Sequence, residues 1–205
     1  MANTNAPFGL RQLGLSGGAA APTFAQIPCK IAYNLTQKIF QGDPVMMLST
    51  GYIDQWDAGT AVSQMWGVFV GCQFMGSDGS FKRYNYWPGG GNQGTTDITA
   101  FVQPAILSPA PLYVIQTDST GVVHADIGAN FDFEVADGST YTGLSAVVLN
   151  SSTSGATTAT LPARLVGLWS NYNGSGGTNV GPGTEAGAYN WAVIALNSGA
   201  GTTGI

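Results

Sequence analysis

Apolar and polar residues alternate over short stretches along most of the chain from residue 29 onward. In "CKIAYNL" (29–35) every odd-numbered position is apolar, the period-2 pattern of a half-buried strand. Further segments of strand character follow, separated by turns rich in Gly, Pro, Asn, Asp and Ser: QKIFQGDPVMMLS, GYIDQW, DITAFVQ, LYVIQTD, GVVHADI, FDFEVA, LSAVVLN, ARLVGLW and NWAVIAL. Many short strands at short intervals predict an all-β protein, a β-barrel or a jelly-roll-like sandwich.

One hairpin stands out in this pattern. Residues 65–75, "MWGVFVGCQFM", are almost continuously apolar and predict a strand covered on both faces, with Gly67 and Gly71 as bulges or close-packing points. "SDGS" (77–80) predicts a tight turn, and alternation resumes in "FKRYNYW" (81–87).

Two other stretches break the strand pattern. "AGTAVSQMW" (58–66) is the one short helix that the sequence predicts. "SNYNGSGGTNVGPGTEAGA" (170–188) is a long loop without periodicity, whose length indicates a role in function or contact. We expect both to belong to a single domain spanning residues 29–205.

Residues 1–28 predict an extended N-terminal arm. Arg11 is the only charge in this segment, and no long apolar run is present, so it does not resemble a signal or transit peptide. Glycine, proline and small residues leave too little apolar area to fold alone. Its phenylalanines and leucines favour an arm that orders against a partner over a loose, solvated tail.

Composition narrows the functional classes. Only 8% of the 205 residues are charged, and the net charge is −5. The six basic residues are scattered, which argues against nucleic acid as a partner. No apolar run is long enough for a membrane-spanning helix, so no membrane partner is expected. A neutral surface with 30 glycines and 11% aromatics predicts extensive cover in an assembly.

Residues that could support catalysis or bind a cofactor are few. His124 has no nearby nucleophile elbow, and we expect it to be an ordinary strand histidine. One histidine and two isolated cysteines, Cys29 and Cys72, argue against a metal site and predict two buried free thiols. Asp132 and Glu134 share one face of a predicted strand, which would suit a glycosidase, but a solvated strand edge is the favoured interpretation. We therefore expect no enzyme activity and no cofactor.

Several motifs resemble those of a known family. The opening "MANTNAPFGLR", the spacing from "KIFQGDPVMM" through "GYID" to "WGVFVGCQFM", then "YNYWPG" and the closing "AGTTGI" are similar to capsid decoration (cement) proteins of tailed bacteriophages. The resemblance covers most of the N-terminal half and the last residues. Residues 125–190 add little to it, and none of these motifs is catalytic.

The resemblance implies a protein on the outer surface of the virion, often a homotrimer, that clamps neighbouring major capsid subunits. The arm would supply contacts through Phe8, Leu10, Arg11 and Leu13. Tyr86 and Trp87 of "YNYWPG" would form a capsid or trimer surface, with Trp87 as a core residue being the alternative. Deletion of residues 2–25 is expected to weaken capsid binding and leave the fold intact.

Two other functions compete with this prediction. A tail- or fibre-associated module could bind a receptor glycan through the 170–188 loop and a platform of aromatic residues. The aromatic candidates are Tyr84, Tyr86, Trp87, Trp56 and Trp66. A glycoside-cleaving enzyme using Asp132 and Glu134 ranks last.

Overall fold

The computed structural model describes residues 3–15, 25–57, 64–90, 98–105, 110–153, 161–169, 183 and 187–197. Within these ranges the chain forms fourteen strands and two short 3-10 turns. The strands are β1 (Arg11–Leu15), β2 (Ile27–Ile31), β3 (Ile39–Phe40), β4 (Pro44–Met47), β5 (Ile53–Gln55), β6 (Met65–Met75), β7 (Phe81–Tyr84), β8 (Tyr86–Trp87), β9 (Ile98–Pro104), β10 (Pro111–Gln116), β11 (Asn130–Glu134), β12 (Val148–Asn150), β13 (Ala163–Leu168) and β14 (Trp191–Leu196). The 3-10 turns are His124–Asp126 and Ser151–Thr153. None of the described residues belongs to a helix long and apolar enough to span a membrane.

Antiparallel pairing organises these strands into two large sheets and one small one. The first sheet has the order β1-β10-β14-β13-β11-β12, and the second has the order β2-β9-β6-β4-β5, with β7 also paired to β6. Strands β3 and β8 form a two-stranded sheet. The sheets pack as a sandwich, so the prediction of an all-β sandwich is confirmed. The two outer strands of the second sheet, β2 and β5, also contact each other, so this sheet curls.

Two clusters of buried apolar side chains stabilise the sandwich. The first joins the sheets, because Phe131 and Ile194 of the first sheet pack with Met65 and Val68 of the second. The second lies within the curled sheet and includes Trp87 from the two-stranded sheet. Burial of these side chains removes apolar surface from water, which is the main favourable contribution to folding.

The predicted β6–β7 hairpin is present. β6 has the predicted bounds, and a Cβ added to Gly67 would lie 2.1 Å from the carbonyl oxygen of Gln103 on β9. The register of β6 against β9 shifts between Phe69 and Gly71. Both glycines therefore serve the predicted purposes of close packing and bulging.

Two predicted strands differ from the structure for local reasons. The segment "GVVHADI" is not a strand, because the Asp126 side chain accepts a hydrogen bond from the backbone N–H of Val123 at 2.8 Å and closes a 3-10 turn. His124 therefore lies in an exposed turn. The segment "FKRYNYW" divides at Asn85, whose side chain donates to the carbonyl oxygen of Thr142 at 2.8 Å. Tyr86 and Trp87 then pair with β3 instead of β6.

Some predictions fall largely outside the described residues. The predicted helix 58–66 is described only from residue 64, and Met65 and Trp66 belong to β6. Of the predicted loop 170–188, the structure describes residues 183, 187 and 188.

Candidate interaction surfaces

The N-terminal segment lies against the end of the first sheet. Gln116, 1% exposed at the end of β10, donates to the carbonyl oxygen of Thr4 at 2.8 Å and accepts from the backbone N–H of Ala6 at 3.0 Å. The Phe8 ring meets Trp191 edge to face, with the ring centroids 4.9 Å apart. Gln116 and Trp191 are register partners on β10 and β14, so a single site on the sheet holds residues 3–8.

The next residues connect this segment to the second sheet. The backbone N–H of Leu10 donates to the carbonyl oxygen of Gly42 at 2.9 Å, and Leu10 is 2% exposed in the first core cluster. Gly9 has a φ of +68°, and a Cβ there would lie 2.5 Å from the Cβ of Ser145. These contacts conflict with the expectation that the fold survives deletion of residues 2–25, since that deletion removes a core side chain and strand β1.

Strand β1 forms one end of the described strand order of the first sheet. It pairs with β10, and the register shifts between Gln12 and Gly14, at Leu13, which is 37% exposed. Arg11 is half-buried, and burial lowers the pKa of its guanidinium. Leu13 and Arg11 are thus the predicted arm residues with side-chain surface at the end of this sheet.

An aromatic stack crosses from the two-stranded sheet to β7. Tyr86 stacks on Phe40 with ring centroids 5.6 Å apart, and on Tyr84 with centroids 6.0 Å apart. Trp87 points to the other side, where it is fully buried and its indole N–H donates to the carbonyl oxygen of Leu35 at 3.2 Å. Tyr86 is half-buried in this stack.

The free end of the β6–β7 hairpin exposes apolar side chains. Met75 and Phe81 are cross-strand partners beside the turn and are 43% and 65% exposed. Tyr84, at the other end of β7, is 38% exposed and continues into the aromatic stack. Met75 and Phe81 are not among the residues that the sequence pattern predicts to form a surface. Their position directly beside the predicted "SDGS" turn is the signal that could have identified them.

The six predicted contact residues therefore divide into three groups. Leu10 and Trp87 are core residues, so as the fold stands they offer no surface to a partner. Phe8 is half-buried against Trp191. Partner contact through Arg11, Leu13 and Tyr86 stays a prediction. Burial of Trp56 and Trp87 also removes both residues from the alternative glycan platform, because a sugar needs an exposed ring face.

The remaining candidate residues lie on β11 and in the turn before it. Asp132 and Glu134 share one face of β11, as predicted, opposite the buried Phe131 and Phe133. His124 lies in the 3-10 turn. Within the described ranges, no three histidine, cysteine, aspartate or glutamate side chains come close enough to hold a metal ion.

Both cysteines are buried free thiols, as predicted. Burial raises the pKa of Cys72 to about 12, and its thiol lies 3.5 Å from the carbonyl oxygen of Tyr86. Burial also raises the pKa of Cys29, although the indole N–H of Trp66, which donates to its sulfur at 3.2 Å, acts in the opposite direction.

One carboxylate, in the "GDP" turn, is buried although the sequence pattern does not predict it. Asp43 is fully buried beside the Leu10–Gly42 contact, and it accepts hydrogen bonds from the Phe40 backbone and the Gln55 side chain, each at 2.8 Å. Burial raises its pKa to about 6, and these hydrogen bonds together with the Ser145 hydroxyl only partly oppose that rise. The "GDP" turn therefore reverses the chain and also carries a buried titratable group.

Comparison of the chain with protein-family models, with curated proteins and with solved structures finds no match.

Proposed function

We propose that this protein is a capsid decoration (cement) protein of a tailed bacteriophage. It binds the outer surface of the head, as a homotrimer, and stabilises contacts between major capsid subunits. The proposal starts from the resemblance of the sequence motifs. The observation that carries it furthest is the pair of exposed apolar side chains beside the turn of the β6–β7 hairpin, Met75 and Phe81.

Exposed apolar side chains of this size favour a protein contact. Large aromatic and methionine side chains dominate the energetics of interfaces, and contiguous apolar patches mark sites of association. Phe81 and Met75 lie side by side as cross-strand partners. The charges near them are already engaged within the chain, because Lys82 pairs with Asp78 at 3.4 Å and the Arg83 guanidinium lies 5.9 Å from the centre of the Phe101 ring. We assign the hairpin to capsid or trimer contact, with Leu13 and Arg11 of β1 as a second contact.

Two motifs that carry the resemblance also meet in space. Leu10 of "APFGLR" and Gly42 of "GDPV" share a backbone hydrogen bond of 2.9 Å. Both motifs therefore serve the same purpose, because their contact attaches the N-terminal segment between the two sheets. This contact assigns these motifs to folding instead of partner binding.

The proposed activity follows from linkage. A protein that binds assembled shells and not free subunits stabilises the shell, by about 2.7 kcal/mol per site at a hundredfold excess over Kd. Thermal disassembly of shells built from the major capsid protein of the same phage tests this. We expect the addition of this protein to raise the disassembly temperature, and an unchanged temperature at saturating protein would contradict the proposal.

A matched pair of variants tests the assigned surface. Phe81→Ala removes an apolar group from the hairpin, whereas Tyr141→Ala removes an aromatic side chain that is 97% exposed in another turn. We expect Phe81→Ala to reduce the stabilisation of the shell and Tyr141→Ala to leave it unchanged. Equal effects of the two variants would exclude the hairpin as the contact.

A further inference from the structure

A fully buried carboxylate lies beneath the N-terminal segment. Asp43 is 0% exposed and follows Gly42 directly in the chain. A Cβ added to Gly42 would lie 3.0 Å from the carbonyl oxygen of Phe8 and 3.2 Å from the backbone nitrogen of Leu10. Residues 8–10 therefore lie directly on the residue that precedes the carboxylate.

The hydrogen bonds of this carboxylate are incomplete. Oδ2 of Asp43 accepts both of them, from the backbone N–H of Phe40 and from the side-chain amide of Gln55, each at 2.8 Å. Oδ1 is buried and has no hydrogen-bond donor among the described residues. An unpaired oxygen costs more on a buried charged group than on a neutral one. The geometry of the site therefore favours the neutral carboxyl.

No cation in the described part of the chain forms an ion pair with Asp43. The negative charge of Asp137, after β11, opposes ionisation of Asp43. Lys38 approaches Asp137 at 3.8 Å, but both side chains are exposed, so water screens this pair. Strands β3, β4 and β6 carry no charged residue. The remaining charges on the elements around the carboxylate are Arg11 on β1, Asp54 on β5 and Asp57 after β5.

The N-terminal segment is the cover of this carboxylate that opens most easily. On the sheet side, the Phe69 N–H donates to the carbonyl oxygen of Asp43, and the Phe69 carbonyl oxygen accepts from the Gly42 N–H, each at 2.9 Å. On the other side, the backbone of residues 8–10 contacts the turn through the bond from Leu10 to Gly42. Chain ends with few backbone hydrogen bonds open locally at a lower free energy than core strands.

We propose that Asp43 is a pH-sensitive latch for the N-terminal segment: the neutral carboxyl keeps residues 3–10 on the two sheets, and its ionisation favours an open state in which residues 8–10 leave Gly42 and water reaches the carboxylate. Burial raises the pKa of Asp43 from 3.8 to about 6, so the closed state binds more protons than the open one. This contribution to closure is complete below pH 3.8 and is lost as the pH rises through about 6. The latch needs no capsid, so it is independent of the proposed function.

Hydrogen exchange of the full-length, isotope-labelled protein, followed by NMR, tests this latch. The measured quantity is the protection of the Leu10 N–H, corrected for the intrinsic pH dependence of exchange. We expect Leu10 to exchange faster than the amides of β14, and its protection to fall about tenfold between pH 5 and pH 7.5. The fall should level off above the pH at which the ¹³C signal of the Asp43 carboxyl group has finished titrating.

Variants separate the latch from a general effect of pH. Asp43→Asn cannot ionise, so its Leu10 protection should change by less than about twofold over this range, while Asp132→Asn, on β11, should keep the tenfold fall of the parent. No fall in the parent, an equal fall in Asp43→Asn, or exchange of Leu10 as slow as that of β14 would overturn the proposal. If Asp43→Asn does not fold, the parent alone decides, because protection that keeps falling after the Asp43 carboxyl has titrated would also overturn it.

Discussion

The backbone N–H of Leu10 donates a hydrogen bond to the carbonyl oxygen of Gly42 at 2.9 Å. The same glycine donates its own N–H to the carbonyl oxygen of Phe69 on β6, also at 2.9 Å. The turn before β4 therefore joins the N-terminal segment to the second sheet, while β1 joins it to the first. An N-terminal segment held at both sheets is part of the fold, and only its surface side chains remain for partners.

Leu10 and Leu13 should respond to truncation in opposite ways. Leu10→Ala should lower the free energy of unfolding by about 2–5 kcal/mol, because it leaves a cavity in the core between the sheets. Leu13→Ala should change it by less than about 1 kcal/mol, since that side chain is 37% exposed, and should instead weaken shell binding. Urea denaturation and shell binding of both variants check this, and a stable Leu10→Ala protein would contradict the assignment of Leu10 to the core.

Gly9→Ala should be more destabilising than an ordinary glycine substitution. A Cβ at Gly9 would lie 2.5 Å from the Cβ of Ser145 and 2.7 Å from the carbonyl oxygen of Gly42, in addition to the cost of its positive φ. Gly51→Ala is the matched control, because Gly51 has a φ of +82° and no atom within 4 Å of its added Cβ. We expect the control to lose about 1 kcal/mol and Gly9→Ala to lose at least about 2 kcal/mol more in thermal or urea unfolding. Similar losses for both variants would contradict the close packing described for Gly9.

Asp43 should make the protein less stable as pH rises from about 4 to about 6. Burial raises its pKa from 3.8 to about 6, so the folded state binds more protons than the unfolded state in this window. The stabilisation is complete below pH 3.8, is lost as pH rises through about 6, and amounts to about 3 kcal/mol at most. Asp118 has the opposite effect. Its hydrogen bonds outweigh its burial and lower its pKa, so its contribution to the free energy of unfolding is lost as the pH falls.

Comparison with Asp43→Asn isolates this contribution. The variant keeps a hydrogen-bonding side chain of the same size but cannot ionise, so its free energy of unfolding should vary less between pH 4 and pH 7 than that of the parent. Urea denaturation across this range measures both curves. Parallel curves for the two proteins would show that Asp43 does not titrate as described.

The thiols should be unreactive in the folded protein. Burial raises the pKa of both cysteines, so little thiolate is present at neutral pH, and Cys72 is 1% exposed. We expect slow reaction with a thiol reagent, Cys29 first, and complete reaction of both in guanidinium chloride. Rapid modification of the native protein, or a disulfide seen without reductant, would contradict this.

Local pattern predicted much of the fold. β6 was predicted with its full bounds because eleven nearly continuous apolar residues end at a glycine and a tight turn. The burial of Cys29 and Ile31 followed from strict alternation, yet Tyr33 in the same stretch is 49% exposed. The strand ends at Ile31, since a turn closed by the Leu35 N–H and the Ala32 carbonyl at 3.0 Å replaces it. Alternation shows which faces differ in polarity but not where pairing stops.

The interaction surface was less predictable, because it depends on contacts between distant parts of the chain. Leu10 and Leu13 are the same residue type in similar sequence surroundings. The contact with Gly42 places Leu10 in the core, and the bulge against β10 leaves Leu13 at the surface. Trp87 is buried because the chain turns away from β7 at Asn85, so that β8 pairs with β3. Asp54 and Asp137 line one polar cavity although they lie more than eighty positions apart, and no local pattern connects them.

Co-sedimentation with shells of the matching major capsid protein tests the central claim most directly. Purified protein is added in increasing amounts, the shells are pelleted, and the copies bound per shell are counted. The decoration proposal predicts saturable binding at a fixed ratio set by the symmetry of the shell, reduced by Phe81→Ala and unchanged by Tyr141→Ala. Absence of binding to intact shells, or binding that never saturates, would contradict it.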